Sequence, residues 1–227
     1  MQTVQNHSLP VHVPAAQAPV EERMAFLKKV YGLLSLSVIL SAAASWVTVS
    51  NEDFLTTVAS NQMVFFLLAL GSIFFVMWAR KKETMGIVAL FSFTMLMGVS
   101  TAPIVLVYTG QAIINAAVLT GLVFAGLSLY TITSKRDFSF MGGMLTTGLI
   151  VLIIGGLLNA FVFQSSLGSF LYSSAGVFIF SGFIVYDTFN IMRRYPTDEH
   201  VSATLSLYLD ILNLFMMLLH LLGGSRD

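Results

Sequence analysis

Two aspartates stand among residues that offer little to solvate a charge. Asp187 lies in "SGFIVYDTFNIM" and Asp210 in "LSLYLDILNLFMMLLH". The other nine of the eleven acidic residues fall in the amino-terminal tail, in polar breaks between apolar runs, or at the last position. An ionised Asp near the centre of a membrane helix costs about 2.5–3.5 kcal/mol on insertion scales, so such residues mark function by default. Two carboxylates brought together in low dielectric cannot both ionise cheaply; they share a proton and titrate as a unit. Protonation then exchanges repulsion for a hydrogen bond, which makes the pair a pH switch between two helix arrangements. When both are ionised, their hard oxygens suit Ca²⁺ better than a softer metal. Asn190 and Asn213, each three residues beyond one of the aspartates, would add carbonyl oxygens. The plainer alternative is that each aspartate only caps or hydrogen-bonds a neighbouring helix.

Such a pair needs two helices to hold it. The break "RRYPTDEH" centres near residues 198 and 199, with Asp187 about eleven residues before it and Asp210 about eleven after. In an antiparallel hairpin both carboxylates fall at one depth, roughly 10 Å inside the helix ends at about 1.5 Å per residue. Arg80, which closes "FFVMWAR", is a cation able to latch Asp187; alternatively its head snorkels to the lipid headgroups.

The rest of the chain supplies the setting. Of 227 residues, 56% are hydrophobic and 10% charged, and the mean hydropathy is +0.85. A soluble domain carries about a quarter charged residues, so this chain lacks the polar surface to cover a globule. Seven continuous apolar segments, at about 26–49, 61–79, 85–108, 112–133, 140–163, 170–192 and 203–222, have the length of membrane helices and lack the alternation of barrel strands. The predicted fold is an all-α integral membrane protein with seven transmembrane helices over residues 23–227, preceded by a flexible soluble tail over 1–22. Ten of the eleven Lys and Arg flank that tail or the breaks after the second, fourth and sixth segments. By the positive-inside rule the amino terminus is cytoplasmic and the carboxyl terminus lies on the far side.

Composition also excludes. The chain has no cysteine, so it has neither disulfides nor thiolate metal sites, and a net charge of zero removes the case for nucleic-acid binding. Neither a metalloprotease motif nor a phosphate or dinucleotide loop is present, so the chain is not expected to be an enzyme. An intramembrane aspartyl protease also uses "YD" and a second Asp on consecutive helices. Tyr186-Asp187 fits the first half, but Asp210 follows Leu207-Tyr208-Leu209 where a Gly-x-Gly is needed. Small residues such as Ser37, Ser41, Gly121, Gly126, Gly142 and Gly148 are expected to let helices pack closely. Pro103 should kink or end its helix, Asn115 and Asn159 should bond between helices, and His220 should be interfacial.

Three stretches carry a family resemblance: "RDFSFMGGML" (136–145), "SGFIVYDTFNIM" (181–192) and "SLYLDILNLFMMLLHLLG" (206–223). Over residues 23–227 the chain resembles the Bax inhibitor-1, or transmembrane BAX inhibitor motif, family, and within it the bacterial inner-membrane branch. The resemblance implies seven helices with the last one surrounded by the others. It implies a pH-dependent Ca²⁺ leak in which the pair matched by Asp187 and Asp210 senses pH and gates the pore, with Arg80 the match for a closing latch. From the residues themselves, Asn190 and Asn213 are expected to support the pair, with Ca²⁺ as the ion carried or transiently bound and no other cofactor. Some bacterial relatives instead modulate the membrane-bound, ATP-dependent protease FtsH through their soluble tail, which makes such a protease the alternative partner besides the bilayer. The eukaryotic anti-apoptotic role does not carry over to a bacterial-type chain.

Overall fold

The computed structural model describes residues 14–223. Of the tail expected over 1–22, residues 1–13, with His7 and His12, lie outside the described residues, as do 224–227 with Arg226.

Among the described residues there are eight helices and no strand: α1 (Val20–Ser50), α2 (Glu52–Ser60), α3 (Gln62–Ala79), α4 (Glu83–Leu106), α5 (Gly110–Thr133), α6 (Met141–Leu158), α7 (Ser166–Arg193) and α8 (His200–Leu222). Seven of them are long and apolar enough to cross a membrane, as expected; α2 is not among them. This is an all-α, multi-pass integral membrane protein.

Polar residues punctuate the apolar runs. Asn51 ends α1 and starts α2, its Oδ1 accepting from Phe54 N at 3.0 Å, and Glu52 and Asp53 favour the positive end of the new helix. The stretch read as a polar break after the first segment is therefore helical, though only nine residues long. Thr109 and Ser165 cap α5 and α7 in the same way. The fifth segment also differs: α6 ends at Leu158, and one wider turn, Asn159–Phe163, follows. Gln164 then leaves it in the left-handed region at φ 44°. Pro103 sits inside the last turn of α4 and does not break it.

Inside lipid nothing outside the chain can satisfy a hydroxyl, so Ser and Thr bond back along their own helices. Thr48, Ser100, Thr120 and Thr131 each donate to the carbonyl four residues earlier, at 2.7–2.8 Å.

α8 is the spine. It packs against α7, α5, α1, α4 and α3 and buries residues along its whole length, so the last helix is indeed surrounded by others. Two apolar clusters meet on it. One joins α1, α3 and α4 to Val201, Ala203, Leu205, Leu207 and Tyr208. The other joins α5, α6 and α7 to Leu214, Leu218 and Leu219. Asp210 lies between these two sets.

α1 and α4 approach so closely that a Cβ on Gly98 would stand 2.1 Å from the Ser41 carbonyl oxygen. Of the glycines expected at interfaces, Gly142 and Gly148 do abut α7, at Tyr186 and Ile179. Gly121 and Gly126 abut nothing within 4 Å, because that face of α5 points outward. Contacts gather the basic residues at one end of the bundle: Lys29 pairs with Glu83, Arg80 with Glu199, and Arg193 and Arg194 lie near Asp137.

Candidate functional site

The hairpin between α7 and α8 sets the site. Arg194 N and Tyr195 N both donate to Asn190 O, at 2.6 and 2.9 Å, which closes α7; Pro196 has no N–H with which to continue it. Glu199 N then bonds Pro196 O at 3.0 Å, and α8 begins at His200. With the turn this short, the two helices run back side by side, and residues equally distant from the turn come level.

Asp187 and Asp210 accordingly come side by side, near enough for their carboxyl groups to interact across the cleft they share. Asp187 is half-buried, whereas Asp210 is only 6% exposed. Both line a cleft of about 380 Å³ between α6, α7 and α8, walled by Leu149, Leu152, Tyr172, Phe180, Phe183 and Met217. Asp210 Oδ2 is buried without a hydrogen-bond partner, and so is Asn190 Oδ1, with the Asn190 side chain beside Asp187. An unpartnered buried oxygen costs about 1–3 kcal/mol, more when charged. Asp210 Oδ2 thus serves no helix cap among the described residues, and Asp187 on the neighbouring helix is the group that Asp210 meets.

The other expected residues divide. Asn213 lines the cleft, but its Nδ2 donates to Leu209 O at 2.7 Å, within its own helix. Arg80 Nη1 stands 3.6 Å from Glu199 Oε2, and among the described residues it makes no ion pair with Asp187. Asn159 bonds between helices, its Nδ2 donating to Ser169 Oγ at 2.9 Å. Asn115 does not: it accepts from Gln111 one turn earlier on the exposed face of α5. His220 sits exposed at the opposite end of the bundle, 3.0 Å from the Tyr108 hydroxyl.

Two residues of the site went unnoticed in the sequence. Ser206 lines the cleft one turn before Asp210, and its Oγ lies 3.2 Å from the Tyr195 hydroxyl. Burial pushes the Tyr195 phenol above its ordinary value, so it stays a neutral hydrogen-bonding group. A Ser and a Tyr are common enough that only the fold could connect them.

As a cation site the arrangement is sparse. The pair offers at most four carboxylate oxygens with Asn190 beside them. Among the described residues no third Asp, Glu, His or Cys completes a metal-binding group. Ca²⁺ takes about six to eight oxygens, so water would have to supply the rest. Such a site suits an ion in transit better than a resident one.

Known proteins match this chain along nearly its whole length. A family model described as "Inhibitor of apoptosis-promoting Bax1" matches residues 23–227. An uncharacterised membrane protein of Vibrio cholerae is 43% identical over 202 residues, covering 87% of this chain and 88% of its own. Protein lifeguard 4 of Mus musculus is 38% identical over 210 residues, 91% of this chain and 88% of its own. The Golgi anti-apoptotic protein of Vaccinia virus is 37% identical over 214 residues, 93% and 90%.

Proposed function

The chain belongs to the Bax inhibitor-1 family of membrane proteins, and from that premise we propose that it is a pH-sensitive cation leak, with Ca²⁺ as the ion. The single observation that carries the reading is the facing of Asp187 and Asp210 in one cleft, with Asp210 Oδ2 buried and unpartnered. With one shared proton, a hydrogen bond holds α7 and α8 together at mid-depth. With none, two negative charges repel across the cleft and attract a cation. Either change acts on the helix pair that lines the passage, so the sensor and the gate are the same two residues. The outward charge pattern supports a cytoplasmic amino terminus in a bacterial inner membrane.

The test is Ca²⁺ flux into proteoliposomes over a series of pH values. Wild type should conduct with a pH dependence that Asp210→Asn and Asp187→Asn both remove. A wild type silent at every pH would overturn the leak.

A second reading, a regulator that binds a membrane protease of the FtsH type, draws on one observation: Val20, Glu21, Glu22 and Met24 at the amino-terminal end are exposed. For a regulator, deleting the tail should abolish the effect on the protease while both aspartate variants retain it.

A further inference from the structure

The segment that leads into α1 is attached to the very turn that joins the two carboxylate helices. Ala15 N donates to Tyr195 O at 2.9 Å, and Pro14 pairs with Pro196 as an isolated antiparallel bridge. Ala15 is fully buried, packed into the same apolar cluster as Phe26, Val30, Val201 and Tyr208. Gln17 N and Ala18 N both turn back to Pro14 O, at 2.8 and 3.2 Å, so the segment is a compact knot and not a passing strand. One α1 turn later, the Thr197 hydroxyl donates to Glu22. From α3, Arg80 reaches Glu199 on the same turn. Three elements therefore hold residues 195–199, and Tyr195 carries that hold inward through its hydroxyl contact with Ser206, in the wall of the cleft.

We propose that residues 14–18 form a strap that keeps the basic end of the α7–α8 hairpin closed, so that a pull on the amino-terminal tail opens the aspartate cleft. The inference rests on the leak reading for its consequence and on the contacts above for its mechanics. A turn fastened to the rest of the bundle by a backbone hydrogen bond, a buried methyl and a few side-chain contacts opens more readily than a buried helix. It is the low-cost place at which α7 and α8 can part. Freeing Ala15 N–H and the Ala15 methyl leaves Tyr195 mobile, and the Tyr195–Ser206 contact loosens with it. The strap thus makes whatever grips the tail an effector of the cleft, without touching either aspartate.

The chain has no cysteine, so an introduced thiol reacts without competition from native ones. Leu209→Cys, in the cleft wall but outside the Tyr195–Ser206 contact, reports access to the cleft through its rate of reaction with a water-soluble thiol reagent. In an Ala15→Asp background that rate should rise roughly five-fold or more, the scale set by one lost backbone hydrogen bond together with a buried charge. A second arm avoids any question of folding, because it compares one polypeptide with itself. Bridged antiparallel residues have Cα atoms about 4.5–5.5 Å apart, within reach of a disulfide. Pro14→Cys with Pro196→Cys should therefore cross-link, and hydrogen exchange over 194–206 should be slower oxidised than reduced. Equal thiol reactivity with and without Ala15→Asp, together with equal exchange in the two redox states, would overturn the strap. Flux separates the two ideas. If reactivity and exchange respond while wild type carries no Ca²⁺, the strap stands and the leak fails. If wild type conducts but none of flux, reactivity and exchange responds, the strap fails and the leak stands.

Discussion

Tyr208 and Asp210 are two residues apart on one helix and about 200° apart around it, at about 100° per residue, and they face opposite fates. Both are buried polar groups, 1% and 6% exposed. The Tyr208 hydroxyl donates to Ser41 Oγ at 2.8 Å with Thr94 O at 3.4 Å, and its ring meets Phe93 edge-on. It stitches α8 to α1 and α4. Asp210 looks into a cleft with one oxygen unpartnered. On the α1–α4 side of the spine Tyr208 is satisfied and closely packed, although Ser37 Oγ on α1 and His200 Nε2 and Ser202 Oγ at the start of α8 are buried without partners; the α6–α7 side sets an unpartnered carboxylate oxygen beside open space. Neither buried polarity nor a lone unpartnered atom identifies a working site; an ionisable group left unpartnered beside a cleft and facing a second one does.

That contrast can be broken from either side. The largest effect should come from Gly98→Leu, which forces a side chain where even a Cβ would stand 2.1 Å from the Ser41 carbonyl oxygen. Helix backbones must separate, and folded protein should be lost on size-exclusion chromatography in detergent. A well-folded Gly98→Leu protein would show that the scaffold side is as yielding as the cleft side. Next comes Asp210→Asn, expected to flatten the pH profile of flux while the melting temperature holds or rises, because a buried charge without a full shell is removed. A clear fall in melting temperature would instead make Asp210 a structural contact.

Tyr208→Phe should do the reverse, lowering stability by about 1 kcal/mol as the Ser41 hydroxyl loses its donor and leaving the pH profile unchanged. Smallest is Asp137→Asn, in the exposed turn before α6. The Ser139 N–H bonds the Asp137 carboxylate at 2.8 Å, and that backbone bond, with the Ser139 side chain and then the nearby Arg194 and Arg193, holds its pKa below the ordinary 3.8. A depressed carboxylate adds stability that is present above the unfolded value and is lost as pH falls through the folded one. The melting-temperature gap between wild type and Asp137→Asn should therefore be slight at pH 7, shrink as pH falls below about 4, and vanish only beneath the depressed folded value. A gap that persists there would mean the turn matters through shape and not charge.

The reading of this chain from its residues was strongest where lipid leaves few choices. Continuous apolar runs cannot satisfy their backbone except as helices, so the seven spans were legible, and so was the level pairing of Asp187 with Asp210, since both are counted from one short turn. The helix at Glu52–Ser60 was missed because polar, acidic residues read as a break, although Asn51 followed by Glu52 and Asp53 is a helix-start signal. The glycines of α5 misled for a related reason: small residues permit a close approach but do not say which face a helix turns inward.

The amino-acid sequence alone determined the class of solvent, the number of spans, the placement of basic charge and the depth of the two carboxylates. Each of those follows from composition or from distance along the chain. Only the tertiary structure decided that the carboxylates face one another, that Arg80 answers to Glu199, that Tyr195 touches Ser206 and that Ala15 is fastened to the α7–α8 turn. Those depend on how each helix is rotated about its axis and on contacts between residues as much as about 180 positions apart. In a bilayer, apolar surface is satisfied against lipid or protein alike, so hydropathy carries almost no signal for rotation. Packing shape and the few polar atoms settle it, and they act only once the helices are assembled.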